Sequence, residues 1–241
     1  MAGTTHVDPV KLDVLSDGDA VARRAAEWIA GAARAAAAAR GWFAIAVSGG
    51  HTPGQMLQAL AREDVPWDAV HVFQVDERVA PAGHPDRNLT QLREDLITRA
   101  PLQPEQVHAM PVESADLEAA AQQYALTLRT IAGDPPVLDL VHLGLGADGH
   151  TASLVPGDPV LEVGDRDVAV TGVYQGRRRM TLTYPALDRA RERLWLVTGS
   201  DKAGMLARLR DADVSIPAGR VRRDGSRVLA DAAAAAALAS W

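Results

Sequence analysis

His150 is the residue in this chain best placed to do chemistry. It directly follows the turn Gly144-Leu145-Gly146-Ala147-Asp148-Gly149, which itself ends an apolar run from Val137 to Leu143. A run of strand length that stops at glycines places the next residues outside the carboxyl end of a strand, where open α/β sheets put their ligands. An imidazole, with an ordinary pKa of about 6.5, can take up and return a proton there at neutral pH, so His150 is the candidate base. Taken alone, the turn fits a tight bend carrying a polar loop histidine equally well.

Two further loops end apolar runs in the same way. Trp42 to Val47 leads into Ser48-Gly49-Gly50-His51-Thr52-Pro53, after which Gln55, Met56, Leu57 and Leu60 have helical spacing. Thr52 is the expected N-cap and Pro53 the first helical residue. Glycines that admit a close approach, followed by the free N–H groups of a helix start, favour an anion and above all a phosphate. The pattern is neither GxxxxGK[ST] nor GxGxxG, so it specifies no nucleotide. Val70 to Val75 ends at Asp76-Glu77-Arg78. Three charges at a strand end either form an ion-pair network or point into a ligand crevice, because burying them unpaired is costly.

Composition narrows the chemistry. The 241 residues include no cysteine, which excludes a disulfide framework, a thiolate nucleophile and thiolate-ligated zinc. The seven histidines show no HxH or HExxH spacing, so no metal is expected. A net charge of -6 argues against a nucleic-acid surface. No secretory signal and no apolar run near the ~18 residues of a membrane span are visible, and a cytoplasmic location is expected.

The elements that must position these loops follow from periodicity. Val10 to Leu15 reads as a strand, and Ser16 with Asp19 reads as a capping pair for a helix to Arg40, ended by Gly41. Asn88 is the expected cap of a helix to about Arg99; Val107 to Met110 is a short strand and Ser114 to Ile131 a long helix. Val168 to Tyr174 and Arg179 to Tyr184 alternate like antiparallel strands around Gln175-Gly176. Leu194 to Val197 is a strand, with a helix to about Arg210 behind it and a last strand near Val228. The alanine tracts Ala35 to Ala39 and Ala232 to Ala237 read as helices. Alternation of this kind predicts a layered α/β/α fold with a largely parallel central sheet, in a single domain over residues 1–241.

Together the loops carry a resemblance. SGGHTP at 48–53, VDER at 75–78, LGLGADGHTASLVPG at 143–157, RMTLTYPAL at 179–187 and VTGSDKA at 197–203 resemble the 6-phosphogluconolactonases, which share a fold with the glucosamine-6-phosphate isomerases/deaminases. The resemblance implies hydrolysis of 6-phospho-D-glucono-1,5-lactone to 6-phospho-D-gluconate, the second step of the oxidative pentose phosphate pathway, with no metal or organic cofactor. It makes His150 the base that activates water. Arg78 and the N–H groups of the Gly146 to Gly149 turn become donors to the developing oxyanion, unless Arg78 holds phosphate instead. Ser48, Gly49, Gly50, Thr52, Arg179 and Lys202 become the phosphate site, and Asp76 and Asp148 orient Arg78 and His150. The expected partner is a small sugar-phosphate lactone, with no nucleic acid and no membrane, the chain acting as a monomer or small homo-oligomer. His51 departs from the family's SGGSTP, in which a second serine stands at its place.

Two rivals are weaker on the residues. The sister deaminases resemble DGHxAxNEP at the histidine motif, and their glutamate position is Val155 here, which carries no proton. A sugar-phosphate sensor of a transcription regulator needs a DNA-binding module, and neither a helix-turn-helix nor a basic face is visible.

Overall fold

Short strands that are apolar on both faces need cover on both faces, and that requirement sets the architecture. The computed structural model describes residues 10–238. In chain order these form β1 (Lys11–Leu15), α1 (Gly18–Arg40), β2 (Phe43–Val47), α2 (His51–Leu60), β3 (Val70–Gln74), β4 (Asp76–Arg78), α3 (Asn88–Leu92), β5 (Val107–His108), α4 (Leu117–Ala132), β6 (Leu140–Gly144), β7 (Val168–Val170), β8 (Arg179–Leu182), α5 (Tyr184–Arg189), β9 (Glu192–Val197), α6 (Ala203–Arg210) and β10 (Ser226–Asp231).

Seven strands make a parallel sheet in the order β1-β10-β9-β6-β2-β3-β5. Alternate residues of each strand go to different cores. Phe43, Ile45 and Val47 of β2 pack with α1 and α2, whereas Ala44 and Ala46 face α4. Trp195 and Val197 join the α4 side, and Leu194 and Leu196 the α1 side. The alanines of α1 at 22, 25, 26, 30, 33 and 36 are buried, and their small size lets this helix lie close against the sheet. This is the expected α/β/α layering.

The chain steps from β2 outward to β3 and β5, then returns to β6 on the other side of β2 and continues to β9 and β10. The sheet therefore reverses direction between β2 and β6, the topological switch point where such folds leave a crevice. Both glycine-rich loops start there. The second sheet, β4-β8-β7, is antiparallel and stands beside the first.

Several local expectations are corrected. The N-cap of α1 is Asp17, whose Oδ1 accepts the N–H of Ala20 at 2.8 Å, and not the Ser16–Asp19 pair. Helix α2 begins at His51, two residues early, so Thr52 lies inside it and is not its cap. Asn88 is likewise inside α3, which passes into a π-helical turn, Arg93–Ile97, before Arg99. Asp116 caps α4 at Leu117, three residues after Ser114. The strand at Val107 ends at His108, and the 168–184 hairpin is shorter than its alternation suggested. The alanine tract after β10 makes only a 3-10 turn, Ala234–Ala237. Asp231 accepts the Ala234 N–H there, and so few residues do not meet the cost of nucleating a helix.

Candidate active site

At the switch point, the loop after β2 is held from below by β6. The Ser48 N–H donates to Nδ1 of His142 at 3.2 Å, and its hydroxyl donates to the His142 carbonyl at 2.9 Å. His142 is fully buried, and burial pushes its pKa down to about 4. It is therefore neutral, with its proton on Nε2 because Nδ1 accepts. Gly49 is required by packing: a Cβ there would meet Oδ1 of Asn88 at 2.2 Å.

Gly50 is clamped by one side chain. Its N–H donates to Oε1 of Gln91 at 2.9 Å, and Nε2 of Gln91 donates back to its carbonyl at 2.7 Å. Gly50 thus shapes the loop while its N–H is turned away from the anion expected there. Thr52 reaches across the cleft floor to Thr198, with the two hydroxyls 2.7 Å apart, which ties the loops after β2 and β9 together. His51 is exposed at the first turn of α2.

The three charges of β4 divide by strand alternation. Glu77, fully buried, points away, accepts from Gln74 and the N–H groups of Arg78, Asn88 and Leu89, and pairs in charge with the Arg87 guanidinium, whose Nε lies 3.1 Å away. Asp76 and Arg78 line the cleft. Both alternatives read from the sequence are therefore realised in one tripeptide. Asp76 accepts from Ser153 Oγ at 2.5 Å and from Asn88 Nδ2 at 3.2 Å. Burial raises its carboxyl above the ordinary value, against the opposing pull of Ser153, Arg78 and Arg179. It makes no hydrogen bond to Arg78. The link between them runs through Asn88, whose Oδ1 accepts from Arg78 Nη1 at 3.0 Å while its Nδ2 donates to Asp76.

Arg179 lies directly opposite Arg78 in the antiparallel register. It is buried, its guanidinium stands 4.9 Å over the Tyr174 ring, and Nη2 donates to Gln175 at 3.2 Å, while Nε has no partner. Its neighbours Arg177 and Arg178 turn outward to Asp86 and Glu118. Two like charges opposite one another on a strand pair are unfavourable until an anion joins them. Lys202, half-buried near the start of α6, lines the same cleft with Nζ 3.0 Å from Asp201.

His150 closes the other side. Its Nδ1 lies 2.5 Å from Oδ1 of Asp148, which also accepts the His150 N–H at 3.1 Å, while Oδ2 accepts from the Tyr174 hydroxyl at 3.0 Å. Burial raises the Asp148 carboxyl, but the donors from His150 and Tyr174 outweigh it and hold the group below its usual value. A carboxylate on Nδ1 keeps the proton there and leaves the Nε2 lone pair for a substrate. A Cβ on Gly146 would meet that Nδ1 at 2.1 Å, so only glycine fits beneath the ring. The N–H groups of Gly146 and Gly149 bond within the turn, to the carbonyls of His150 and Gly146, and are not free for an oxyanion.

The cleft has a volume of about 340 Å³, the size of a small metabolite. It brings together Ser48, Gly49, Gly50, Thr52, Asp76, Arg78, His150, Arg179 and Lys202; Asp148 stands behind His150. Among the described residues no three His, Cys, Asp or Glu side chains cluster as a metal site would require, and no helix is long and apolar enough to cross a membrane.

A family model described as glucosamine-6-phosphate isomerases/6-phosphogluconolactonase matches residues 16–230. The chain belongs to the glucosamine-6-phosphate isomerase/6-phosphogluconolactonase family. A Synechocystis protein named 6-phosphogluconolactonase is 40% identical over 203 residues, which cover 83% of this chain and 84% of that protein. The solved 6-phosphogluconolactonase of Trypanosoma brucei superposes with a TM-score of 0.84 at 26% identity, over 97% of this chain and all of that one (100%). A monomeric glucosamine-6-phosphate deaminase superposes with a TM-score of 0.82 at 17% identity, over 94% of this chain and 99% of that chain, which shows the shared fold. Within this family fold, the site also depends on Gln91, His142, Ser153, Tyr174 and Thr198, none of which is singled out by the sequence reading, and on Asn88, read there only as a cap. His142 alone left a local signal, a polar residue in an otherwise apolar strand.

Proposed function

We propose that this chain hydrolyses 6-phospho-D-glucono-1,5-lactone to 6-phospho-D-gluconate, the second step of the oxidative pentose phosphate pathway. The observation that carries this reading is a carboxylate-held imidazole facing a pair of opposed guanidiniums across a cleft of metabolite size. Nε2 of His150 takes a proton from water as the oxygen attacks the lactone carbonyl carbon. The tetrahedral intermediate then collapses, the bond to the ring oxygen breaks, and the imidazolium returns its proton to that oxygen. The new carboxylic acid ionises at neutral pH.

Phosphate binding falls to Gly49 and Thr52 at the start of α2, completed by Arg179 and Lys202, with Ser48, whose N–H and hydroxyl are both spent on His142, and Gly50 shaping the loop. With the Gly146 and Gly149 N–H groups engaged inside the turn, Arg78 and the Ala147 and Asp148 N–H groups of that turn are the donors for the carbonyl oxygen as it becomes negative. Two of the Arg78 nitrogens, Nε and Nη2, remain beyond the Nη1 bonds to Asp86 and Asn88. The sister deamination is disfavoured because Val155, at the position of that activity's glutamate, is buried and carries no titratable group. A net charge of -6 and the absence of cysteine support a small-molecule substrate rather than a nucleic acid, and chemistry without thiolate-held metal.

The test is the disappearance of freshly made 6-phosphogluconolactone over its spontaneous hydrolysis, with EDTA present and unphosphorylated gluconolactone as control. Acceleration that resists EDTA and requires the phosphate is expected. A rate equal to background, with ammonia released from glucosamine 6-phosphate, would replace this reading with the sister activity.

A further inference from the structure

The phenol of Tyr174 lies outside the cleft lining, yet it touches both halves of the site. Its hydroxyl donates to Asp148 Oδ2 at 3.0 Å, on the opposite side of the carboxylate from His150. Its ring meets the His150 ring edge-on at a centroid distance of 5.7 Å, and its face supports the Arg179 guanidinium at 4.9 Å. The residue is fixed at the tip of the hairpin between β7 and β8 by a two-residue turn, with Tyr174 N–H to Arg177 carbonyl at 2.9 Å and the reverse bond at 3.2 Å. Arg177 anchors that tip to Asp86 at 2.8 Å.

We propose that Tyr174 is a positioning residue for the hydrolytic step, the third member of a Tyr174–Asp148–His150 relay that sets the orientation and basicity of His150. This rests on the reading of His150 as base. A carboxylate between two donors cannot rotate away from either, so the phenol fixes the oxygen that orients the imidazole. The phenol also withdraws negative charge from the carboxylate, so that the carboxylate stabilises imidazolium less than it would alone. The charged groups facing the relay are Arg179 from β8 and, across the cleft, Arg78 and Asp76 from β4; His51 and Lys202 line the same space.

Tyr174→Phe keeps the ring against Arg179 and His150 and removes only the hydroxyl. Rates of lactone hydrolysis across pH are measured for the full chain and for Tyr174→Phe, Asp148→Asn, the double variant and His150→Ala. In Tyr174→Phe, kcat is expected to fall roughly 10-fold, with KM unchanged. The acid limb of kcat/KM is expected to move to higher pH, because an unshared carboxylate favours the protonated imidazole. In the Asp148→Asn background the same substitution is expected to have little further effect, because the tyrosine acts through that carboxylate. A Tyr174→Phe enzyme with unaltered kcat and pH profile overturns the proposal, as does an equal loss in both backgrounds. If His150→Ala keeps full activity, the base assignment fails first. If it is inactive while Tyr174→Phe matches the parent, only the tyrosine's role is lost.

Discussion

His142 and His150 stand eight residues apart on one strand and its loop, and they are opposites. His142 is fully buried beneath the β2–α2 loop, with a pKa pushed down to about 4, and holds the Ser48 backbone. His150 keeps a quarter of its side chain exposed and is held only by groups on loops. The same contrast runs through the two ends of the cleft. The anion-binding end rests on buried polar groups joined to one another before any ligand arrives: Glu77, Asn88 and His142, with Gln91 clamping the loop. The hydrolytic end is an imidazole, a carboxylate and a phenol that water can reach. A group that must change protonation in each turnover cannot sit where burial forbids its charge, whereas a group that only holds geometry gains rigidity from burial.

Substitutions sharpen this comparison. His150→Ala is expected to lower kcat by about 10²- to 10⁴-fold, seen as initial rates over spontaneous hydrolysis, with the melting temperature nearly unchanged. An active variant would break the contrast at its centre. Arg179→Ala acts at the other end and is expected to raise KM by about 10- to 100-fold, the loss of charge-assisted hydrogen bonds to a phosphate, with kcat less affected. A collapse of kcat at constant KM would move Arg179 to the hydrolytic end. Gln91→Ala releases Gly50 without touching the ligand, and KM is expected to rise several-fold, from two neutral hydrogen bonds of about 1 kcal/mol each.

The smallest effect separates the two carboxylates. Asp76 has a folded pKa above its ordinary value of 3.8, so its favourable contribution is present below that value and lost as pH rises through the folded pKa. Asp148 is shifted downward, and its contribution is present above 3.8 and lost as pH falls through the folded pKa. Thermal melts from pH 3 to 8 should therefore show Asp76→Asn gaining on the parent as pH rises, and the deficit of Asp148→Asn shrinking as pH falls. Parallel curves for the two would contradict the opposite shifts.

What was legible in the sequence was local. Glycines that interrupt apolar runs mark strand ends, so the three loops and the parallel layering could be read directly, and the order of the loops carried the family resemblance. What was not legible depends on partners far along the chain. Gln91 meets Gly50 across 41 residues, and Tyr174 meets Asp148 across 26. The two-way division of Asp76-Glu77-Arg78 needed the second sheet, and nothing local signals that β4 leaves the first one. Propensity misled at the second alanine tract, where the turn at Asp231 comes before a helix can start.

The facing pair Arg78 and Arg179 has a consequence for how the protein is handled. With the cleft empty, two guanidiniums repel one another, and an oxyanion held by Arg179 at the phosphate end offsets part of that repulsion and binds the folded chain in preference to the unfolded one. Thermal tolerance is then a property of the solution as much as of the sequence, rising with the logarithm of phosphate or sulfate concentration once that exceeds its dissociation constant. Melting temperatures taken in phosphate and in an anion-poor buffer will describe two differently loaded molecules, and the gap between them is a substrate-free assay of the binding end.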